Sequence, residues 1–461
     1  MAIRHSQEIA LSARLAATNV LLSVERGRST LAAAIERARP QVEDARDTAL
    51  LMELASGVTR WRAELDARLV PHLRHSLDTL APEVRAILRL AAYQLHHLDR
   101  VPDHAIVNES VELTRTLGQP RAAGFVNAVL RNLIRARNAK SPLPKRPVDG
   151  ANANSAVEYL SITLSHPRWL VERWLTRFGF DACERWCQFN NTAPDVTLRP
   201  IGMTAAALVD RLEAEGLEAS LGRYVTGAVR IGAGVFGKLP PDVRDDVLIQ
   251  DEGSQLVACA AGATAGERVL DVCAAPGGKT LILASGVGAS GLIVAADRRA
   301  PRVKLLRETL KSRPGLVFVL AVDAIAGLPF SDAFDRVLLD APCSGLGTIR
   351  RDPDIKWNRA EADLGRFALA QTAMIANAAR TVRPGGSLIY STCSSETEEN
   401  EAVVDAFLAA NSDFSLAPLA LGGECAHATG VLDPLGRMRT WPFEHGLDAF
   451  FAARLVRRNA A

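Results

Sequence analysis

Two cysteines and three aspartates stand at or just past the ends of apolar runs, and a loop of small residues lies upstream of them. In RVLDVCAAPGGKT, residues 268–280, Val269, Leu270 and Val272 suit a buried parallel strand. Ala274, Ala275, Gly277 and Gly278 let backbone N–H groups approach a ligand closely, and a helix N-terminus follows at Lys279. The loop lacks the GxGxxG spacing, and Pro276 removes one donor, so a pyrophosphate is less well supplied here than in a dinucleotide fold. A ligand with an amino acid end and an adenosine end, S-adenosylmethionine, fits as well or better. A lone Gly-Gly is more often an ordinary tight turn, so the other strand ends carry the weight. GLIVAAD ends at Asp297, GLVFVLAVD at Asp323, FDRVLLD at Asp340 and GGSLIYSTC at Cys393. In an open parallel sheet ligands bind beyond the carboxyl ends of the strands, which points all four side chains into one crevice. Any one of these aspartates is explained by turn and N-cap preference alone. Four in register beside a glycine loop are harder to dismiss.

Position suggests roles. Asp297 lies 26 residues after Asp271, near the separation at which an acidic side chain takes ribose hydroxyls. Asp323 suits an adenine amino group, and Asp340 falls immediately before APC, close to where a reacting atom must sit. Cys393 opens onto the crevice, where nearby positive charge favours the thiolate, the form that attacks.

The elements that position these residues read as an α/β domain. Helical text at 280–284, 301–311, 360–382 and 397–410 separates the strands, as in a doubly wound sheet, and DAFFAARLVR supplies a terminal strand. The first third reads instead as an all-α bundle. Ala13, Ala17, Val20 and Val24 share one helix face with Gly27 past its end, a second helix starts near Pro82, and residues 122–137 place Val126, Val129, Leu130, Leu133 and Ile134 on one face. Residues 141–156, with Pro142, Pro144 and Pro147, have linker composition. Between them and about 245 a tryptophan-rich helix, a strand at Val196 to Pro200, a helix at 204–216 and a strand at 227–231 suggest a small α+β unit. Trp169, Trp174 and Trp186 do not share an exposed face and are expected in the core, and Cys183 and Cys187 lack two further metal ligands. The expected domains are therefore 1–140, the linker 141–156, 157–245 and 246–461.

Composition narrows the function classes. At 461 residues the chain is too long for one ordinary core. Seven scattered cysteines do not form a disulfide framework, and no apolar run of membrane-spanning length or secretory leader is present, so a reduced, cytoplasmic setting without membrane or metal is expected. The net charge is only +2, yet the first 150 residues hold 22 lysines and arginines against 16 acidic residues. An anionic partner would be felt there, although arginines on a helix face are more often simply solvated.

DVCAAPGGKT, LLDAPCSGLGTIRRDPDIKW and SLIYSTCSSETEENEAVV resemble the motifs of RNA cytosine-C5 methyltransferases of the Fmu/Sun (RsmB) type, and QDEGSQLVA resembles the segment leading into their cofactor loop. VNESVELTR and FVNAVLRN are similar to the NusB-like RNA-binding domain that this subfamily carries at its start. The resemblance implies a NusB-like all-α bundle, a small α+β domain and a C-terminal Rossmann-like methyltransferase domain. It implies methylation at C5 of a cytosine in 16S rRNA, expected at position 967, before the subunit is fully assembled. By the same resemblance Cys393 is the nucleophile that adds to C6, Asp340 acts at N3, and Cys343 helps remove the C5 proton and release the product. S-adenosyl-L-methionine is then held by Cys273, Ala274, Ala275, Pro276, Gly277, Gly278 and Lys279 with Asp297, Asp323 and Asp340. Arg350, Arg351 and Lys356 follow Cys343 in a loop where RNA phosphates are one expected partner and plain solvation the other. Two competing readings are the same chemistry on tRNA or another rRNA position, and a non-catalytic RNA-binding assembly factor. A dehydrogenase is weaker, because its glycine fingerprint is absent.

Overall fold

The computed structural model describes residues 11–137, 141–148, 152–232, 234–311 and 316–459. Residues 1–10, on which the expected lack of a leader partly rests, and residues 149–151 of the expected linker lie outside these. The chain forms two compact units, residues 1–192 with 349–358, and residues 193–348 with 359–461.

The first unit is helical: α1 (Ala13–Glu25), α2 (Leu31–Ala38), α3 (Ala45–Arg60), α4 (Arg62–Leu69), α5 (Pro82–His97), α6 (Asp103–Thr116), α7 (Ala123–Ala136), α8 (Ala153–Glu158), α9 (Arg168–Phe178) and α10 (Phe180–Asn190). Helix starts follow their caps. Ser12, Thr30 and Asp44 each accept a backbone N–H of the first turn, and Pro82 fills the first position of α5, where no intrahelical donor is needed. On the faces predicted from periodicity Ala17, Val126 and Leu130 are fully withdrawn from water and Ala13, Val20, Val24, Val129 and Leu133 are buried with them in one continuous core, whereas Ile134 is only partly buried. Trp174 stacks on Trp186 with ring centroids 4.1 Å apart, and both are buried, as are Cys183 and Cys187. This unit runs through residue 192, beyond the boundary expected at 140. The proline-rich stretch is tied to the helices after it, since Arg146 pairs with Glu184 at 2.9 Å and Thr163 donates to the Pro144 carbonyl.

The second unit holds two sheets. Strands β1 (Val196–Pro200), β2 (Ala219–Leu221), β3 (Val229–Ile231) and β4 (Val247–Ile249) form an antiparallel sheet in the order β2-β3-β1-β4. Helix α11 (Ala205–Ala214), capped by Thr204, shares the small core of this sheet. After α12 (Glu252–Ala260) the large sheet begins: β5 (Arg268–Val272), α13 (Gly278–Val287), β6 (Leu292–Asp297), α14 (Ala300–Leu310), β7 (Leu316–Ala321), β8 (Phe334–Asp340), α15 (Asp363–Ala379), β9 (Val382–Thr392) and α16 (Glu401–Ala410). Strand β10 (Phe414–Ala417), β11 (Met438–Arg439) and β12 (Phe451–Arg457) complete it. Its order is β10-β12-β9-β8-β5-β6-β7, with β11 paired to β12. Strands β5 to β9 are mutually parallel, whereas β12 enters antiparallel to β9. Chain order reverses direction between β5 and β8, and the crevice at such a switch point lies beyond the strands' carboxyl ends. The strand expected to finish on Asp323 stops at Ala321, because Asp323 turns to cap the backbone N–H of Ile325.

Candidate active site

The register of neighbouring strands places the chemistry. Asp340, the last residue of β8, pairs with Ser391 of β9. Cys343 and Cys393, three and two residues further on, therefore meet, with their sulfurs 3.2 Å apart. Two loop closures keep them there. The Gly347 N–H donates to the Cys393 carbonyl at 2.9 Å, and a Cβ at Gly347 would fall 2.0 Å from the Ala449 carbonyl oxygen, so only glycine fits. Buried Glu399 accepts the Ser344 N–H at 2.8 Å, the Ser344 and Ser394 hydroxyls at 2.5 Å each, and the Gln371 amide at 3.1 Å. One carboxylate thus grips the residue after each cysteine. Glu399 is not among the residues singled out from the sequence, because only the folded cysteine loops bring its donors together.

Asp340 is an acceptor on both oxygens. Lys279 Nζ donates to Oδ2 at 2.8 Å and the Ser391 hydroxyl to Oδ1 at 2.9 Å. Burial works against the Lys279 charge, but the adjoining Asp340 carboxylate holds its pKa above the ordinary lysine value. The hydrogen bond to Cys393, and then burial, hold the Cys343 thiol well above its ordinary range. The contact between the two sulfurs is one in which either can donate.

Beside this pair lies a cavity of about 290 Å³, lined by Asp271, Cys273, Ala274, Ala275, Pro276, Gly278, Lys279 and Asp340 together with residues 248–251. The loop from Cys273 to Gly277 is shaped for close approach, with Gly277 at φ +115°, and a Cβ on Gly278 would meet the Gln250 side chain at 2.9 Å. Asp271 is fully buried. Burial pushes it up to about 7, against the hydrogen bond from Thr280, and its Oδ1 has no partner among the described residues, nor has Gln250 Oε1. Two orphaned acceptors at one wall suit a ligand bearing an amino group. Asp297 is buried at the end of β6, where it accepts the Arg299 N–H and pairs with Arg302 at 3.2 Å. Asp323 pairs with Arg298 at 3.3 Å. Neither of these two aspartates is part of the cavity wall.

Two of the three cations after Cys343 depart from expectation. Lys356 is fully buried in the first unit, donating to the Arg60 carbonyl at 2.9 Å, so it cannot meet a phosphate. Arg350 lies over the Phe189 ring at 4.5 Å and its carbonyl accepts from Arg60. Both residues pack the helical unit. Among the described residues no cluster of side chains could hold a metal ion, and no helix is long and apolar enough to cross a membrane.

Known proteins share this arrangement. Residues 259–456 match the family described as 16S rRNA methyltransferase RsmB/F, residues 11–135 the NusB family, and residues 166–235 the ferredoxin-like domain of RsmF/B-like methyltransferases. The probable ribosomal RNA small subunit methyltransferase B of Bacillus subtilis is 35% identical over 89% of this chain and 90% of its own length. The ribosomal RNA small subunit methyltransferase B of Xanthomonas campestris is 35% identical over 97% of this chain and 98% of its own. The crystal structure of PH0851 superposes with a TM-score of 0.79 at 26% identity, covering 96% of this chain and 98% of that one. The three family matches follow one another along the chain, the two relatives are matched over most of their own length, and the chain belongs to the RsmB/F family of 16S rRNA methyltransferases.

Proposed function

We propose that the protein methylates C5 of a cytosine in 16S rRNA, at the position expected to be 967, using S-adenosyl-L-methionine and a covalent Cys393–C6 adduct. The observation that carries this reading is the pair of sulfurs 3.2 Å apart beside the Lys279–Asp340 ion pair. C5 of cytosine is a poor nucleophile. A thiolate added at C6 makes C5 an enamine carbon, which divides one hard step into two. In this reading Cys393 attacks and Cys343 stays beside it as the second sulfur. Negative charge that develops at N3 is met by the Lys279 proton, positioned through Asp340. Cys343 then helps remove the C5 proton, and as that proton leaves, the electron pair of the C6–S bond returns to Cys393 and frees the methylated base.

The cavity fits the cofactor. The orphaned Asp271 and Gln250 oxygens would hold its amino group, the backbone from Cys273 to Gly278 allows close approach, and Asp297 at the end of β6 and Asp323 just past β7 would hold the adenosine. When bound, S-adenosylmethionine supplies an electrophilic methyl group. The base must leave its stack to meet Cys393, which gives the helical unit and its basic excess a purpose in holding RNA by phosphate contacts. Binding is accordingly expected to weaken steeply with salt.

Methyl transfer from labelled S-adenosylmethionine to 16S rRNA tests the reading, with products run on a denaturing gel. Cys393→Ala is expected to lose transfer without an adduct, and Cys343→Ala to leave protein trapped on RNA. The opposite pattern makes Cys343 the nucleophile, and no transfer by the wild type to any rRNA favours a binding factor. Transfer to tRNA alone moves the substrate but keeps the chemistry.

A further inference from the structure

The helical unit contains a second cavity, of about 190 Å³, that no step above uses. Leu21 and Val24 of α1, Val58 of α3 and Ala86 of α5 form its apolar walls. Arg62, Asp354 and Arg89 also line it, together with Glu25, Thr59 and Asn358. Arg62 lies over the Trp357 ring, 5.4 Å from its centroid, and makes no ion pair among the described residues. Asp354, 3% exposed, uses Oδ2 for the Leu31 N–H and the Asn358 amide, while its Oδ1 has no partner. Arg89 also lines the space, but Asp66 at 2.7 Å and Glu25 at 3.4 Å neutralise it. The site thus offers one uncommitted guanidinium, one uncommitted carboxylate oxygen and flat apolar walls. It is smaller than the roughly 300–1,000 Å³ of sites for drug-sized ligands, so it suits one ring system rather than a whole cofactor.

We propose that this cavity receives the base of an unpaired guanosine in the RNA. Guanine alone among the bases pairs two acceptors, O6 and N7, which suit a guanidinium fork, with the N1–H and N2–H donors that suit a carboxylate. Adenine has no O6, and uracil has no N7 beside its O4, so neither fills both prongs of the guanidinium fork. Single-stranded loops present their bases unstacked and open to such edge recognition. The inference rests on reading the chain as an RNA methyltransferase. It assigns the helical unit a base contact, besides the phosphate contacts that its charge implies.

The test is calorimetric titration of the full-length protein with the four nucleoside 5′-monophosphates, with the crevice first saturated by S-adenosylhomocysteine so that only the second cavity reports. Guanosine monophosphate is expected to bind at least about fivefold tighter than the other three, and Arg62→Met, which keeps the stem packed on Trp357, to weaken it roughly tenfold. Asp354→Asn retains the acceptor for Leu31 and turns the free oxygen into a donor, so it should erase the preference for guanine. Equal binding of adenosine monophosphate, no binding at all, or binding unchanged in both variants overturns the proposal. Thermal melts confirm that each variant is folded. Methyl transfer to 16S rRNA by the same preparations separates the two readings. Transfer without guanosine binding removes only the pocket, and guanosine binding without transfer removes only the catalytic reading.

Discussion

Lys279 and Lys356 each follow a loop that the sequence marks for chemistry, and each is drawn in from solvent, yet they end in opposite states. Lys279, with 13% of its side chain exposed, faces the Asp340 carboxylate and is held above its ordinary pKa. Lys356, fully buried among α3, α10 and Trp357, faces the Arg60 carbonyl and the Cys187 sulfur, and burial pushes it well below. A carboxylate at 2.8 Å is what separates the two. Taking an ammonium out of water costs several kcal/mol unless an opposite charge compensates, and a carbonyl dipole does not. The crevice therefore keeps a cation paired with a carboxylate, whereas the helical core keeps a long apolar stem whose amine is hydrogen-bonded to a carbonyl. Burial alone does not mark a functional lysine. Its partner does.

The largest effect expected from this contrast is at Lys279. Lys279→Met should lower methyl transfer by roughly 10²–10⁴-fold, the span of a lost general acid, with melting little changed. Recovery of part of the rate in Lys279→Arg would support a charge role, and a Met variant as active as wild type would break the comparison. At Lys356 the expected effect is on stability. Lys356→Ala should cost about 2–5 kcal/mol in urea unfolding through the cavity left behind, but Lys356→Met less than about 1.5 kcal/mol. An equally large loss in both variants would show that the amine, not the stem, is what the core requires. Glu399→Gln should lower kcat about tenfold with KM for RNA unchanged, because a neutral amide turns one acceptor into a donor against Ser344 or Ser394. A change in KM alone would place Glu399 in RNA binding instead.

The smallest effect is a pH slope at Asp271. Its folded pKa of about 7 lies above its ordinary value, so between about pH 4 and pH 7 the folded chain keeps a proton that the unfolded chain has lost. Stability from this group is present below that window and is lost as pH rises through it. Urea midpoints measured from pH 5 to pH 8 should fall with pH in the wild type and flatten in Asp271→Asn. A parallel decline in both proteins would assign the slope to other groups.

Local signals made much of this legible. The caps of α1, α2 and α3, the proline that starts α5 and the buried faces of the first helices follow from residues within a few positions of one another. The four strand-end residues were legible because apolar runs stop on Asp or Cys, although Asp323 overshoots its strand by two residues to cap a turn. What could not be read depends on distant pairing. The contact between Cys343 and Cys393 requires the register of β8 on β9, set 50 residues apart. Glu399 becomes a clamp only when both cysteine loops have arrived. The burial of Lys356 depends on Arg60, 296 positions away, so a cation in a loop after a reactive cysteine looked like a phosphate contact.

The ten residues that carry Lys356 also decide how this protein can be taken apart. The chain leaves the sheet-bearing unit after Thr348, gives residues 349–358 to the helical one, and returns at Arg359. Besides the junction at residue 192, two further covalent strands therefore join the units. A gene fragment beginning at residue 193 would express a catalytic half whose Ile349, Pro353 and Lys356, all built for an interior, are left in water. Recombination by shuffling intact modules is closed to such a chain at that junction. The helical half and the ten-residue insert must be inherited, exchanged or redesigned as one piece.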